Sequence, residues 1–120
     1  MLKNYRDLKV WQKAYQLCLE VYRVTKEFPS EEKYGLVSQI RRAAVSIPSN
    51  VAEGYGRKTT PEYIQFLYVA YGSLCELETQ ILLSGDLGFV DSKEIEAIEG
   101  KIGELERMLK ALIKSLAAKK

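Results

Sequence analysis

The stretch that decides the fold is residues 91–116, which read DSKEIEAIEGKIGELERMLKALIKSL. Its large aliphatic side chains recur at alternating intervals of three and four residues: Ile95, Ile98, Ile102, Leu105, Leu109, Leu112 and Leu116. This is the spacing of an α-helix with one narrow apolar seam, and most of the other positions are charged. Asp91 followed by Glu94 is a capping-box pattern, so the helix is predicted to begin there. Such a helix must bury its seam against other helices.

Three segments upstream have the same helical period: residues 7–28, 30–58 and 60–84. Pro48 falls inside the second segment. Because the apolar positions keep helical phase on both sides of this proline, we expect a kinked helix rather than a loop. Gly85 is expected to stop the third helix. The predicted N-caps of the three segments are Asp7, Ser30 and Thr60.

The breaks between the predicted helices are short, and short connections make sequential helices antiparallel neighbours. The predicted fold class is therefore all-α: an antiparallel up-and-down four-helix bundle, with one domain over residues 1–120. The third helix is apolar on most sides and has no Lys or Arg, so we expect it to be buried on most sides.

The first and third helices carry more apolar surface than one seam needs. The surplus includes Tyr15, Tyr22, Tyr68 and Tyr71. We expect a second copy of the chain to cover this surface, which predicts a homo-oligomer. The alternative is that the rings lie flat on the surface with their hydroxyl groups in water.

The sequence contains no histidine, which removes the commonest general base and the commonest transition-metal ligand. We therefore predict no catalytic residue, no metal site, no cofactor and no small-molecule substrate, and we expect that the protein is not an enzyme. Glu76 and Glu78 cannot share a metal site, because residues two apart on a helix point in different directions. Cys18 and Cys75 have apolar neighbours and are predicted to be small buried hydrophobic residues.

No apolar run in the chain approaches the roughly 20 residues that span a bilayer. The first residues carry charges that no apolar stretch follows, so they do not resemble a signal peptide. We therefore expect a cytoplasmic protein with no membrane partner.

Charge is distributed unevenly along a chain whose net charge is +2. Residues 1–58 carry eleven Lys or Arg against six Asp or Glu, a net +5, whereas residues 59–90 carry four acidic residues and no basic one. Clustered Lys and Arg can neutralise phosphates and give salt-dependent nucleic-acid binding. The candidate nucleic-acid-binding residues are Lys9, Lys13, Arg41, Arg57 and Lys58. The alternative for each of them is a solvated surface position.

A polar row runs along the second helix and consists of Gln39, Arg42, Ser46, Asn50, Glu53 and Arg57. In one interpretation the row contacts a ligand or RNA. In the other it pairs with Glu76 and Glu78 of the third helix, because partly buried Arg–carboxylate pairs can fix the register of a bundle. We favour the structural pairing.

Three motifs resemble a known family: residues 7–14 (DLKVWQKA), 35–54 (GLVSQIRRAAVSIPSNVAEG) and 70–78 (AYGSLCELE). They are similar to motifs of the four-helix-bundle proteins encoded within intervening sequences of 23S ribosomal RNA genes. The resemblance implies a bacterial-type cytoplasmic bundle that assembles as a homopentamer. The family is distantly similar to the accessory protein of diversity-generating retroelements, a pentameric barrel that binds a reverse transcriptase and nucleic acid. The resemblance supplies no definite activity.

Two functional hypotheses follow. The first is an oligomeric module that binds structured RNA through backbone charge. The second is a protein-interaction scaffold whose partner, which could itself be bound to nucleic acid, docks on the tyrosine-rich surface.

Overall fold

A computed structural model describes residues 4–119 of the chain. The four α-helices are α1 (Lys9–Thr25), α2 (Leu36–Tyr55), α3 (Thr60–Asp86) and α4 (Ser92–Ala118). Two short 3-10 turns, Tyr5–Asp7 and Ser30–Glu32, precede α1 and α2. No β-strand occurs between residues 4 and 119. The all-α four-helix bundle that the sequence predicts is confirmed.

The helices form a closed square in which α1 and α3 each contact both α2 and α4. Lys13 near the start of α1 pairs with Glu104 of α4, and Arg23 near the end of α1 pairs with Glu94. The two helices therefore run in opposite directions, as short connections require. The bundle measures 48 × 24 × 21 Å. Its long axis is close to the length of about 40 Å expected for α3 and α4.

The interior is built from aliphatic side chains that all four helices contribute. The largest fully buried ones are Leu17, Val21, Ile40, Ile47, Leu67, Leu74, Leu77, Ile81, Ile98, Ile102, Leu105 and Leu109. Trp11 packs at the margin of this core and is only half-buried. Its ring stacks on Tyr15, with 5.0 Å between the ring centroids.

The burial pattern of α4 follows the predicted seam from Ile98 to Leu109, while Ile95 is half-buried, and then it shifts. Ile113 is buried, whereas Leu112 and Leu116 are half-buried. A strict three–four spacing averages 3.5 residues per turn, while a straight helix has 3.6, so the buried stripe drifts around the helix along its length. The predicted start of α4 is confirmed, because the Asp91 carboxylate accepts the backbone N–H of Glu94 at 3.0 Å.

The predicted N-caps of α1 and α2 are wrong. Asp7 belongs to the 3-10 turn before α1, where Asn4 caps the turn by accepting the Arg6 N–H at 2.8 Å. Leu8 occupies the N-cap position of α1 without a side-chain hydrogen bond. Ser30 opens a separate 3-10 turn, and α2 begins only after Gly35.

The N-cap of α3 is Thr59 rather than the predicted Thr60. Its hydroxyl accepts the backbone N–H of Glu62 at 3.3 Å and donates to the Glu62 carboxylate at 3.0 Å. This choice puts Pro61 at the second helical position, where its missing N–H needs no partner.

The predicted stop at Gly85 is also wrong, because α3 continues to Asp86. Gly88 adopts φ +82°, the left-handed conformation that glycine allows at the end of a helix. The N–H of Phe89 donates to the Ser84 carbonyl at 2.9 Å, and the N–H of Gly88 donates to the Gly85 carbonyl at 3.0 Å. These two bonds form a Schellman motif that closes α3.

The glycine and proline of α2 shape its packing rather than its ends. The helix continues through the buried Pro48, so the expectation of a helix rather than a loop is confirmed. Gly54 lies where α2 meets α3. A Cβ atom at Gly54 would lie 2.8 Å from the Cβ of Phe66, so only glycine allows this close approach.

The bundle leaves part of its apolar surface uncovered. α3 exposes Tyr68, Val69, Leu82 and Leu83, so the expectation that it is buried on most sides is wrong for the single chain. Among the predicted surplus tyrosines, Tyr15, Tyr22 and Tyr68 are exposed and Tyr71 is half-buried. Within residues 4–119, every helix falls short of the length or apolarity that crossing a lipid bilayer would require.

Candidate nucleic-acid interface

A groove of about 670 Å³ lies between the C-terminal half of α1 and the N-terminal half of α2. We name it the cationic groove, and it is lined by Tyr22, Lys33, Tyr34, Val37, Ser38, Arg41, Arg42, Val45 and Ser46. Three of these side chains are cationic, two are aromatic and none is a carboxylate. A cavity with this lining attracts anions, because no acidic group competes for the cations.

Arg41 is fixed inside the cationic groove by contacts with α1. Its Nε donates to the Thr25 hydroxyl at 2.9 Å, and one Nη donates to the Tyr22 carbonyl at 3.3 Å. The guanidinium also lies 4.4 Å from the centroid of the Tyr22 ring. Thr25 is buried, and its hydroxyl donates a hydrogen bond to the Val21 carbonyl at 2.8 Å. A guanidinium has five N–H groups, so donors remain for an anion.

The other two cations of the groove are less constrained. Arg42 is exposed and makes no hydrogen bond or ion pair with any residue between 4 and 119. The Lys33 ammonium lies 5.5 Å from the centroid of the Tyr34 ring. Neither cation forms an ion pair with a carboxylate of residues 4–119, so both can move toward a ligand.

The two adjacent arginines differ in how they are held, because only Arg41 is hydrogen-bonded to a neighbouring helix. Arg41 is the predicted nucleic-acid contact, but it is held by α1. Arg42 is assigned to the structural polar row, but it has no structural partner. The two side chains point about 100° apart around α2, so only one of them can reach the bonding groups of α1.

The remaining candidate nucleic-acid-binding residues do not join this groove. Lys13 pairs with Glu104 of α4 at 3.6 Å, and Lys9 lies one turn earlier on α1. Arg57 pairs with Glu53 at 3.8 Å and covers the Phe66 ring of α3 at 4.5 Å, and Lys58 follows it. Arg41 lies about 21 Å along the axis of α2 from its last residue, Tyr55, and Arg57 lies beyond that end. The five predicted residues therefore form no single patch.

Part of the polar row lies between α2 and α3 as expected. The hydroxyl groups of Ser46 and Ser73 are 2.7 Å apart. The Asn50 amide donates to the carbonyl and the hydroxyl of Ser46, at 2.8 and 2.9 Å. The contact between Ser46 and Ser73 connects the two helices without an ion pair, and the Asn50 amide supports Ser46 from within α2. Glu53 takes no part in these hydrogen bonds, because it pairs with Arg57 just beyond the end of α2.

Glu76 and Glu78, the predicted partners of the polar row on α3, face different neighbouring helices. Glu76 and Arg42 line a second groove of about 390 Å³ between α2 and α3, but they form no ion pair. Glu76 instead accepts a hydrogen bond from the Gln80 amide at 3.2 Å. Glu78 faces Glu99 of α4 and therefore does not belong to the polar row. The predicted pairing with Glu78 is wrong, because a two-residue step on α3 turns the side chain to the opposite neighbour.

The contact between Glu78 and Glu99 is a feature that sequence reasoning missed. One carboxylate oxygen of Glu99 is buried without a hydrogen-bond partner. Burial and the adjacent Glu78 carboxyl raise the pKa of Glu99 to about 7. No local pattern marks the pair, since it joins two helices. No group of three or more His, Cys, Asp or Glu between residues 4 and 119 could hold a metal ion.

The cysteines occupy different environments. Cys18 is half-buried, and burial raises the pKa of its thiol. Cys75 is exposed on α3, so the prediction that both cysteines are buried is wrong.

Comparison with known proteins identifies the family. The sequence model of the 23S rRNA-intervening sequence protein family matches residues 6–111. The fold is similar to the crystal structure of a protein of unknown function from the S23 ribosomal protein family of Bacteroides thetaiotaomicron, with a TM-score of 0.82 and 23% identity. That alignment covers 88% of this chain and 98% of the other. No curated protein matches this chain. Because the family match spans most of its length, the chain belongs to the 23S rRNA-intervening sequence protein family.

Proposed function

We propose that this chain is a non-catalytic RNA-binding module whose cationic groove holds the phosphate backbone of RNA. The observation that carries the proposal is the composition of the groove: Lys33, Arg41 and Arg42 converge there, and no carboxylate lines it. Phosphate groups supply most of the affinity in protein–RNA contacts, and Lys and Arg bind them.

The proposal includes a homo-oligomer, and a pentamer is the assembly that the family resemblance implies. A third groove, of about 360 Å³, lies between α1 and α2 and supports the homo-oligomer. We name this third groove the apolar groove. Trp11, Tyr15, Leu19 and Pro48 are among its lining residues, and Leu19 is 58% exposed. A sister copy that covers this groove would remove the apolar surface from water. Repetition of the cationic groove around the assembly would then add avidity for a long RNA.

Binding of a ribosomal RNA fragment at about 50 mM and about 200 mM salt tests the RNA proposal. We expect the affinity of the wild-type chain to fall steeply between these concentrations. Arg42→Ala should weaken binding at the lower salt and reduce the salt dependence by about one released ion. The matched control is Arg107→Ala, which removes an exposed arginine from α4 and should leave the affinity within about twofold.

Two results would contradict the RNA proposal. The first is that the wild-type chain retains no RNA at the lower salt. The second is that Arg42→Ala and Arg107→Ala weaken binding equally, since net charge alone would then explain the affinity.

The apolar groove also supports a second candidate function, a scaffold that docks another protein on the α1–α2 surface. Leu19 and Tyr15 are the exposed apolar side chains that would contact the partner. A specific protein that co-purifies after nuclease treatment, and is lost in Leu19→Glu but retained in Arg42→Ala, would favour this function over RNA binding.

A further inference from the structure

Tyr34 is the most exposed large apolar side chain among the residues that the structure describes. It lies in the turn between the Ser30–Glu32 segment and α2, and it is 88% exposed. Only the Lys33 ammonium is placed over its ring. The ring contributes nothing to the bundle core, yet it stands at the edge of the cationic groove. An aromatic ring in this position offers a free flat face beside three cations.

A second aromatic ring lies deeper in the same groove. Tyr22 projects from α1, and the Arg41 guanidinium covers it at 4.4 Å from the ring centroid. A guanidinium stacked on a ring and fixed by two hydrogen bonds is a planar cation that another flat group can stack on. The groove therefore combines positive charge with two flat surfaces, the Tyr34 ring and the Arg41 guanidinium, on which any base can stack.

This combination suits unpaired nucleotides better than a duplex. In an RNA duplex the bases are stacked on each other, so an exposed tyrosine has no base face to contact. Proteins that bind single strands use a cationic groove for the backbone and aromatic side chains for the bases. A volume of about 670 Å³ lies in the range of pockets for small ligands, and it can receive a nucleotide but not the body of a helix.

We infer that the cationic groove binds an unpaired segment of RNA, with one base stacked on the ring of Tyr34 and its phosphates held by Arg41 and Arg42. The inference rests on the proposed function and narrows it. The proposed function is recognition of the phosphate backbone of RNA, and the inference specifies that the RNA in the groove is single-stranded. Lys33 then neutralises a neighbouring phosphate from the other side of the ring.

The test compares three probes on the full-length chain at one low salt concentration. They are a single-stranded RNA of about ten nucleotides, the same strand annealed to its complement, and inorganic polyphosphate. We expect the single strand to bind at least about tenfold more tightly than the other two. Tyr34→Leu should weaken single-strand binding about five- to a hundredfold and leave duplex and polyphosphate binding unchanged. Tyr34→Phe keeps the ring and should retain the wild-type affinity.

The variants separate failure of this inference from failure of RNA binding. Because Tyr34 is outside the core, its replacement leaves the fold intact, which circular dichroism checks. The inference is overturned if Tyr34→Leu binds the single strand as the wild type does, or if the duplex or polyphosphate binds equally well. If Arg42→Ala still weakens all three probes in that case, the proposed RNA function stands. If no probe binds, both fail.

Discussion

The Glu99 carboxyl lies against Glu78 where α4 packs on α3, and one of its oxygens is buried without a partner. Two adjacent carboxylates cannot both ionise without repulsion, so one of them keeps a proton at higher pH than usual. Burial and, after it, the neighbouring Glu78 carboxyl raise the pKa of Glu99 to about 7, from an ordinary value of 4.5. The folded chain therefore binds more protons at this residue than the unfolded chain does between these two pH values.

This linkage predicts how stability depends on pH. The contribution of protonated Glu99 is fully present below about pH 4.5 and is lost as the pH rises through about 7. Glu99→Gln removes the charge and can donate an N–H to Glu78. We expect it to stabilise the protein at pH 8 by about 1 kcal/mol, which raises Tm by about 3–5 °C. At pH 5 the gain in Tm over the wild type should be much smaller than at pH 8.

Thermal unfolding followed by circular dichroism at both pH values provides the measurement. Glu96→Gln removes an exposed carboxylate from the same helix and is the matched control. A gain in Tm for Glu99→Gln that is equal at pH 5 and pH 8, or that Glu96→Gln reproduces, would rule out a buried carboxyl pair.

At the same scale, the arginines indicate how far a sequence determines a site. The helical pattern predicts that Arg41 and Arg42 lie on different faces of α2. Arg41, and not Arg42, is hydrogen-bonded to the Thr25 hydroxyl and the Tyr22 carbonyl, because these groups of α1 lie on its side of α2. Because those partners are 16 and 19 residues away, no local pattern predicts them. The cationic groove as a whole was missed for the same reason.

At the scale of the element, the existence and type of the helices could be predicted, but their ends could not. In a run of 20 or more residues, many apolar positions at helical spacing each indicate a helix. Each end of the helix depends instead on one or two local hydrogen bonds. Thr59 and Thr60 are chemically identical candidates for the cap of α3. Only the backbone decides between them, because Thr59 is extended, with φ −119° and ψ 151°, and Thr60 is already helical.

The cap of α3 gives a prediction in which the two threonines serve as each other's control. Thr59→Ala removes the hydroxyl that accepts the Glu62 N–H, and we expect it to lower the free energy of unfolding by about 1 kcal/mol. Thr60→Ala removes a hydroxyl that makes no capping bond and should change stability by less than about 0.5 kcal/mol. Urea denaturation with equal m-values measures both. A larger loss of unfolding free energy for Thr60→Ala than for Thr59→Ala would show that Thr60 caps α3 instead.

At the scale of the whole molecule, the sequence predicts a surplus of apolar surface, and the structure locates it. Tyr15, Leu19 and Val45 of α1 and α2 are exposed at the apolar groove, while the exposed apolar side chains of α3 include Val69 and Leu83. The surfaces differ in charge, because α3 has acidic residues and no Lys or Arg. If neighbouring copies met through these two unlike surfaces, the interface would be heterologous, which forms a ring where the rotation between copies closes and an open filament where it does not. The number of copies follows from the angle between the surfaces, which helical periodicity does not encode.

Leu19 provides the sharpest test of such an assembly, since it is exposed in the apolar groove and absent from the core. We expect the wild-type chain to sediment as a multiple of its 13.7 kDa mass at micromolar concentration, and Leu19→Glu to sediment near 13.7 kDa with unchanged helicity. A charge buried without a partner opposes association, whereas it has little effect on a residue that faces water. Ala111→Glu adds the same charge to an exposed position of α4 and should leave the assembly intact.

The same variant connects assembly to RNA binding. Loss of the assembly removes avidity, so Leu19→Glu should bind a long RNA about a hundredfold more weakly, yet bind the short single strand as the wild type does, because its cationic groove is unchanged. A wild-type chain that sediments as a monomer would remove the reason for this difference. Equal weakening for long and short RNA would instead place Leu19 in the RNA contact and not between copies of the chain.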